Sequence, residues 1–272
     1  MIELKDMNVL LTGGSRGLGP HIASALAKEG CNIAITARSE KLLKSVAEEL
    51  LQYGTKVKFY LCNVSDDDDR RKLVNDVRAD FGRIDILVNN AGIENVSSYT
   101  DLSCEYIDDM VQTNLLAPMQ LAHLVIPDML AHQCGHLVTM SSLGGKKGSP
   151  YSATYAATKA GLIQWSNGIR AEFHRSGVSA SVICPGLVSD SGMFVKYDKK
   201  APGLLGESKP EHVAQAVVKA IKKDLGEVIV NPGPIRLSLV LDAINPEIMN
   251  WVLRKFGIHE FYRTQAEDNK LL

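Results

Sequence analysis

The sequence predicts an α/β fold: a three-layer, doubly wound parallel sheet with helices on both faces. Two observations predict it. Apolar runs near 8–11, 32–37, 56–62, 84–89, 135–141, 178–184 and 227–230 alternate with helical patterns near 40–53, 66–81, 103–130, 153–175 and 209–223; such βα alternation builds parallel sheets. Gly13, Arg38, Asn63, Asn90, Ser142 and Pro185 each fall at the C-terminal end of a predicted strand, the edge where open sheets bind ligands.

The first strand, Asn8-Val9-Leu10-Leu11, leads into Thr12-Gly13-Gly14-Ser15-Arg16-Gly17-Leu18-Gly19. A helical pattern follows, with Ile22, Ala25, Leu26 and Ala27 as its apolar side, ending near Gly30. Strand, glycine-rich turn and helix in that order form a dinucleotide-binding turn. The glycines let the backbone approach a pyrophosphate, and the helix start offers unpaired N–H groups. The second strand, Asn32 to Ala37, ends at Arg38, and no carboxylate follows until Glu40. A guanidinium there, with Arg16 from the turn, suits a 2′-phosphate. The cofactor is therefore read as NADP(H).

Asp66 to Asp69 reads as the capped, charged start of a helix rather than a metal site. His132, Cys134 and His136 alternate before a strand, and metal ligation is not favoured there either. No metal is expected. Tyr155 and Lys159 stand four apart on a predicted helix, and so share a face. An ammonium beside a phenol favours the phenolate and lowers a pKa ordinarily about 10. Such a tyrosine passes a proton to or from a carbonyl or alcohol oxygen. Ser142, thirteen residues upstream, supplies a hydrogen bond to the same oxygen.

Gly13, Gly17 and Gly19 in a G-x-x-x-G-x-G pattern, with Ser142, Tyr155 and Lys159, resemble the short-chain dehydrogenase/reductase family in its single-domain NADP(H)-dependent branch, over about residues 5–232. The resemblance implies a Rossmann-type sheet of seven strands ordered 3-2-1-4-5-6-7. Asn89-Asn90-Ala91-Gly92 matches the family's N-N-A-G element beside the adenosine. Asn114 matches the asparagine whose backbone helps hold a water linked to the lysine, and Pro185-Gly186 lies where the family lays the nicotinamide. The implied catalytic residues are Asn114, Ser142, Tyr155 and Lys159, with Lys159 also on the nicotinamide ribose. The cofactor would meet Gly13, Ser15, Arg16, Gly17, Leu18, Gly19, Arg38, Asn63, Val64, Asn90, Ala91, Gly92, Tyr155, Lys159, Pro185, Gly186 and Val188. Gly144, Tyr151, Leu187, Met193 and Phe194 would face substrate. Two positions depart from the pattern. Asn63 stands where many members have aspartate, and Asp190, between Ser189 and Ser191, replaces a threonine that contacts the nicotinamide carboxamide.

At 272 residues, 45% hydrophobic, the chain suits one domain with a sizeable core. A formal net charge of −1 gives no electrostatic case for nucleic acid. Five scattered cysteines fit reduced thiols. With no signal-peptide layout and no run of membrane-spanning length, a cytoplasmic location is expected. Residues 1–233 are read as the dinucleotide-binding and catalytic domain. Residues 234–272 are read as a helical extension packed on it, with apolar stretches beginning at Pro234 and Pro246. That tail is expected over the substrate pocket or against a partner subunit, in preference to a membrane surface. Residues 190–208 read as a lid, with Lys199-Lys200 as solvated surface.

The function expected is reduction by NADPH of a hydrophobic ketone or aldehyde, reversible as alcohol dehydrogenation. An alternative is a 3-oxoacyl-thioester reductase, for which Lys146, Lys147 and Lys199 would form a basic patch toward a carrier. A reading of another class is a non-catalytic nucleotide-binding regulatory protein. The resemblance implies a homodimer or homotetramer paired through the helices near 103–130 and 153–175.

Overall fold

The fold is described from a computed structural model, which covers residues 2–193, 202, 205–233 and 235–269. Its strands are β1 (Asn8–Thr12), β2 (Asn32–Ala37), β3 (Val57–Leu61), β4 (Ile86–Asn89), β5 (Gly135–Met140), β6 (Val178–Pro185), β7 (Leu187–Val188), β8 (Glu207–Ser208) and β9 (Glu227–Val230). The helices are α1 (Leu18–Lys28), α2 (Glu40–Leu50), α3 (Asp67–Phe81), α4 (Cys104–Val111), α5 (Ala117–Ala131), α6 (Ala153–Glu172), α7 (Pro210–Lys222), α8 (Ile235–Ile244), α9 (Pro246–Lys255) and α10 (Ile258–Asn269). Seven strands form one sheet in the order β3-β2-β1-β4-β5-β6-β9, every pair parallel. This is the doubly wound, Rossmann-type α/β fold, with its switch point between β1 and β4.

The central strands are apolar on both faces because both faces are covered. Val9 and Leu11 of β1 join a layer with Ile22, Leu26, Leu43 and Val217, from α1, α2 and α7. Leu10, pointing the other way, joins Leu73, Val77, Leu121 and Val125, from α3 and α5. Asp66 caps α3, accepting from the Asp69 N–H at 2.9 Å, so the aspartate run is a helix start. Arg70, 2% exposed, donates to the Val64 carbonyl and to Gln120, tying α3 to α5. His136 lies in the core with its Nε2 2.8 Å from Ser181 Oγ. Burial pushes this imidazole down to about 4.

The helix expected over 103–130 is interrupted. Gln112 to Leu116 form a π turn between α4 and α5. Pro118 has no N–H to give the Asn114 carbonyl, which leaves that carbonyl out of the regular α-helical ladder. Asn114 therefore sits in a widened turn facing the sheet edge. Two features have no counterpart in the sequence reading: the small sheet of β7 and β8, and α10, a third helix in the extension.

Candidate active site

The turn after β1 is held open by the loop after β4. Asn90 Nδ2 donates to the Thr12 and Gly13 carbonyls at 3.0 and 3.1 Å. Thr12 Oγ1 accepts from the Asn90 and Ala91 N–H groups at 3.0 and 3.1 Å. Gly13 has φ +66°, and a Cβ there would stand 2.9 Å from the Ala91 backbone. At Gly19 a Cβ would meet the Gly13 carbonyl at 2.1 Å, so this glycine lets α1 approach the turn rather than facing the cavity. Arg16 and Arg38 both line the cleft and are exposed. Among the described residues neither makes an ion pair. A groove of close backbone with two open guanidiniums fits a dinucleotide that carries an extra phosphate.

That groove continues into a cavity of ≈ 1250 Å³. Of the expected cofactor residues, all but Gly19 line it, as do Ser142, Gly144, Leu187 and Met193. Phe194, Lys199 and Lys200 lie outside the described residues. At the position of the missing threonine, Asp190 and Ser191 line the cavity; Ser189 donates to Asp190 Oδ2 at 3.0 Å.

Ser142 ends the β5 crossing, where its Oγ accepts the Gly144 N–H at 3.1 Å and hydrogen-bonds Tyr155. The start of α6 is locked against this turn: Ser141 Oγ donates to the Lys159 carbonyl at 2.8 Å, and a Cβ on Gly145 would stand 2.6 Å from that same backbone. Lys159 is 4% exposed; its Nζ donates to the Met140 carbonyl at 2.8 Å and lies 5.5 Å from the Tyr155 ring centre. Burial lowers this ammonium to about 8, with Glu94 opposing the shift.

The expectation that Lys159 lowers the Tyr155 pKa is corrected here. Burial pushes the phenol above its ordinary value, the Glu94 charge pushes it further, and only the Ser142 hydrogen bond draws it back. The ammonium gives one of its three donors to the Met140 carbonyl and is itself weakened by burial. A phenol so placed keeps its proton, the state that a donor to a carbonyl oxygen needs.

Tyr151 sits differently from expectation and does not line the cavity. It has φ +61°, packs with Val96, Tyr262 and Ala266, and meets His259 edge to face at 5.7 Å. Asn114, fully buried, exchanges hydrogen bonds with the Ile93 backbone, both at 2.8 Å. Its side chain fixes the loop after β4 behind Gly92, which leaves its backbone for the expected role.

Among the cavity residues missed from sequence, three bear on its chemistry. Glu94, two residues after Gly92, accepts from Ser152 Oγ at 2.8 Å and raises the pKa of Tyr155, Lys159 and Tyr262. Tyr262 and Gln265 come from α10. Burial raises the Tyr262 phenol to about 12. Gln265 is 1% exposed, and its Nε2 has no hydrogen-bond partner among the described residues. The one sequence signal was the spacing of Ile258, Tyr262 and Gln265, which puts all three on one helix face.

The extension forms the cavity's outer wall through Leu239, Met249, Leu253 and Ile258. Lys147 pairs with Asp242 of α8 at 2.6 Å, and Asn269 Nδ2 donates to Asn95 and the Val96 carbonyl. Lys146 is paired with Glu227. The basic patch expected at Lys146 and Lys147 is thus neutralised by carboxylates.

The pattern of the short chain dehydrogenase family matches residues 7–202. The ketoacyl reductase HetN of Nostoc sp. is 41% identical over 98% of this chain and 95% of its own length. The 3-oxoacyl-[acyl-carrier-protein] reductase FabG of Escherichia coli is 33% identical over 73% of this chain and 80% of its own. Among solved structures, a metagenomic short-chain oxidoreductase in complex with NADP superposes with a TM-score of 0.72 at 28% identity, covering 84% of this chain and 98% of that one. A variant actinorhodin polyketide ketoreductase with NADPH gives 0.76 at 27%, covering 85% and 97%. With a turn, sheet and Ser–Tyr–Lys set of this kind, the chain belongs to the short chain dehydrogenase family and is an oxidoreductase.

Proposed function

We propose that the chain uses NADPH to reduce the ketone of a neutral, lipophilic 3-oxoacyl compound, such as a thioester or ester, to the 3-hydroxy product. The observation that carries this reading is the Glu94 carboxylate near Tyr155, in a cavity whose outer wall presents Leu239, Met249, Leu253 and Ile258. The Glu94 charge offsets that of the Lys159 ammonium, so a free keto acid meets no net attraction at the reacting end of the cavity. Apolar walls favour a hydrocarbon chain. Ketoacyl reductases among the relatives support the 3-oxo class.

The cofactor would lie over Gly13, Gly17 and Gly92, with its 2′-phosphate between Arg16 and Arg38 and its nicotinamide against Pro185-Gly186. When bound, NADPH supplies the hydride that the carbonyl carbon accepts. Tyr155 gives its proton to the carbonyl oxygen, and Ser142 hydrogen-bonds that oxygen as charge gathers on it. Lys159 holds the ribose and keeps a positive charge beside the phenol. The widened turn at Asn114 holds the water through which the Tyr155 proton is replaced.

Two outcomes follow. Arg38→Asp is expected to weaken NADPH binding about 10- to 100-fold, the size of a lost charge-assisted hydrogen bond, while NADH binding weakens little. Cofactor fluorescence titration measures both, and equal losses would remove the 2′-phosphate assignment. Assayed by NADPH consumption, 3-oxoacyl thioesters and esters are expected to outrun small aldehydes and bulky cyclic ketones. Activity confined to short, polar carbonyls would overturn the substrate reading.

A further inference from the structure

The outer face of the extension is apolar and exposed. Helix α8 carries two opposite stripes at helical spacing. Ile235, Ser238, Leu239 and Asp242 turn to the cavity, whereas Leu237, Val240, Leu241 and Ile244 are 63, 55, 42 and 76% exposed. Helix α9 repeats the arrangement: Met249 and Leu253 face the cavity, while Ile248 and Trp251 are 52 and 55% exposed, and Phe256 follows at 56%. Only four other large hydrophobic side chains are exposed among the described residues, Leu42, Leu51, Leu61 and Tyr99, and these are dispersed along the chain. A helix apolar on both sides requires cover on both sides. The cavity supplies one.

The rim of the face decides what supplies the other. Arg236 opens α8, and Arg254 and Lys255 close α9, all exposed; Lys255 Nζ lies 4.8 Å over the Trp251 ring. Asp242 is neutralised by Lys147, which leaves Glu247 as the opposing charge in these two helices. A second copy of the same face would set this cationic rim against itself. An anionic lipid surface complements it: the apolar stripes enter the acyl boundary, Trp251 sits at headgroup depth, and the long cationic side chains reach the phosphates. No helix among the described residues is long and apolar enough to cross a membrane, so the contact is a surface one.

We propose that α8 and α9 form a membrane-docking hairpin that seats the protein on anionic lipid, with the catalytic cavity directly behind it. A lipophilic substrate then meets the cavity wall at the lipid boundary. The docking itself does not depend on which carbonyl is reduced.

The test uses the full chain with vesicles of phosphatidylcholine alone or mixed with phosphatidylglycerol. Expected is co-sedimentation with the anionic vesicles, weakened by high salt, and a blue shift of Trp251 emission with quenching by brominated lipid. The variant Leu241→Ser, Ile244→Ser, Trp251→Ser changes only exposed side chains outside the cavity. It is expected to stay in the supernatant while keeping its thermal midpoint and its turnover of a small soluble ketone. Wild-type protein that ignores anionic vesicles and shows no emission shift would overturn the proposal. So would a dimer by light scattering that this variant dissolves while vesicle binding is absent.

Discussion

Tyr155→Phe is expected to lower kcat about a thousandfold, within the range typical for removing a positioned proton donor, and to change the NADPH dissociation constant less than about twofold. The ring stays, so packing against Ser142 and Lys159 is retained; what goes is the proton and the Ser142 hydrogen bond. A second signature follows from the raised phenol. Burial and Glu94 keep Tyr155 protonated well past neutrality, so reduction should be nearly flat from about pH 6 to about pH 7.5 and fall only as Lys159, at about 8, loses its charge. The reverse oxidation, which needs the phenolate, should climb with pH across that range. Stopped-flow measurement of NADPH absorbance reads both directions. A variant retaining a tenth of the wild-type kcat would remove Tyr155 from the proton transfer.

Lys159→Met is expected to abolish turnover and yet raise the thermal midpoint. The ammonium is buried and held by one carbonyl, with its pKa down from 10.5 to about 8. A base depressed by folding binds fewer protons folded than unfolded between those values. Stability therefore rises with pH from about 8 to about 10.5, and below about 8 the whole penalty is present. That penalty is about 3 kcal/mol at pH 7, offset in the variant by leaving the Met140 carbonyl unpaired, roughly 1 kcal/mol. A net gain of about 2 kcal/mol corresponds to several degrees in a chain of this length. Calorimetry at pH 7 and pH 10 is the check: the gain should shrink at the higher pH. Loss of stability at both pH values would mean that Lys159 is held by its surroundings rather than tolerated for its chemistry.

The layered sheet and the glycine turn were legible because each rests on local pattern: apolar runs, helical periods and glycines at strand ends; the strand order came only with the family resemblance. Ser142, Tyr155 and Lys159 were legible through motif and spacing. The sign of the Tyr155 shift was not, because it depends on burial and on Glu94, which no spacing ties to Tyr155. Tyr151 was misread for a related reason: it packs with Tyr262 and Ala266 of α10, far off in sequence, and no local pattern marks that contact. The start of α9 at Pro246 was readable. The contribution of α10 to the cavity arises only when the chain folds back on the loop after β4, where Asn269 holds it.

The most direct measurement compares kcat/KM for a long-chain 3-oxoacyl ester and the free acid of the same chain, in the wild-type protein and in Glu94→Gln. The ester is expected to be preferred at least about tenfold, the equivalent of ~1.4 kcal/mol, and the preference should narrow in Glu94→Gln. An acid reduced as fast as the ester by the wild-type protein would contradict the assignment of a neutral 3-oxoacyl substrate.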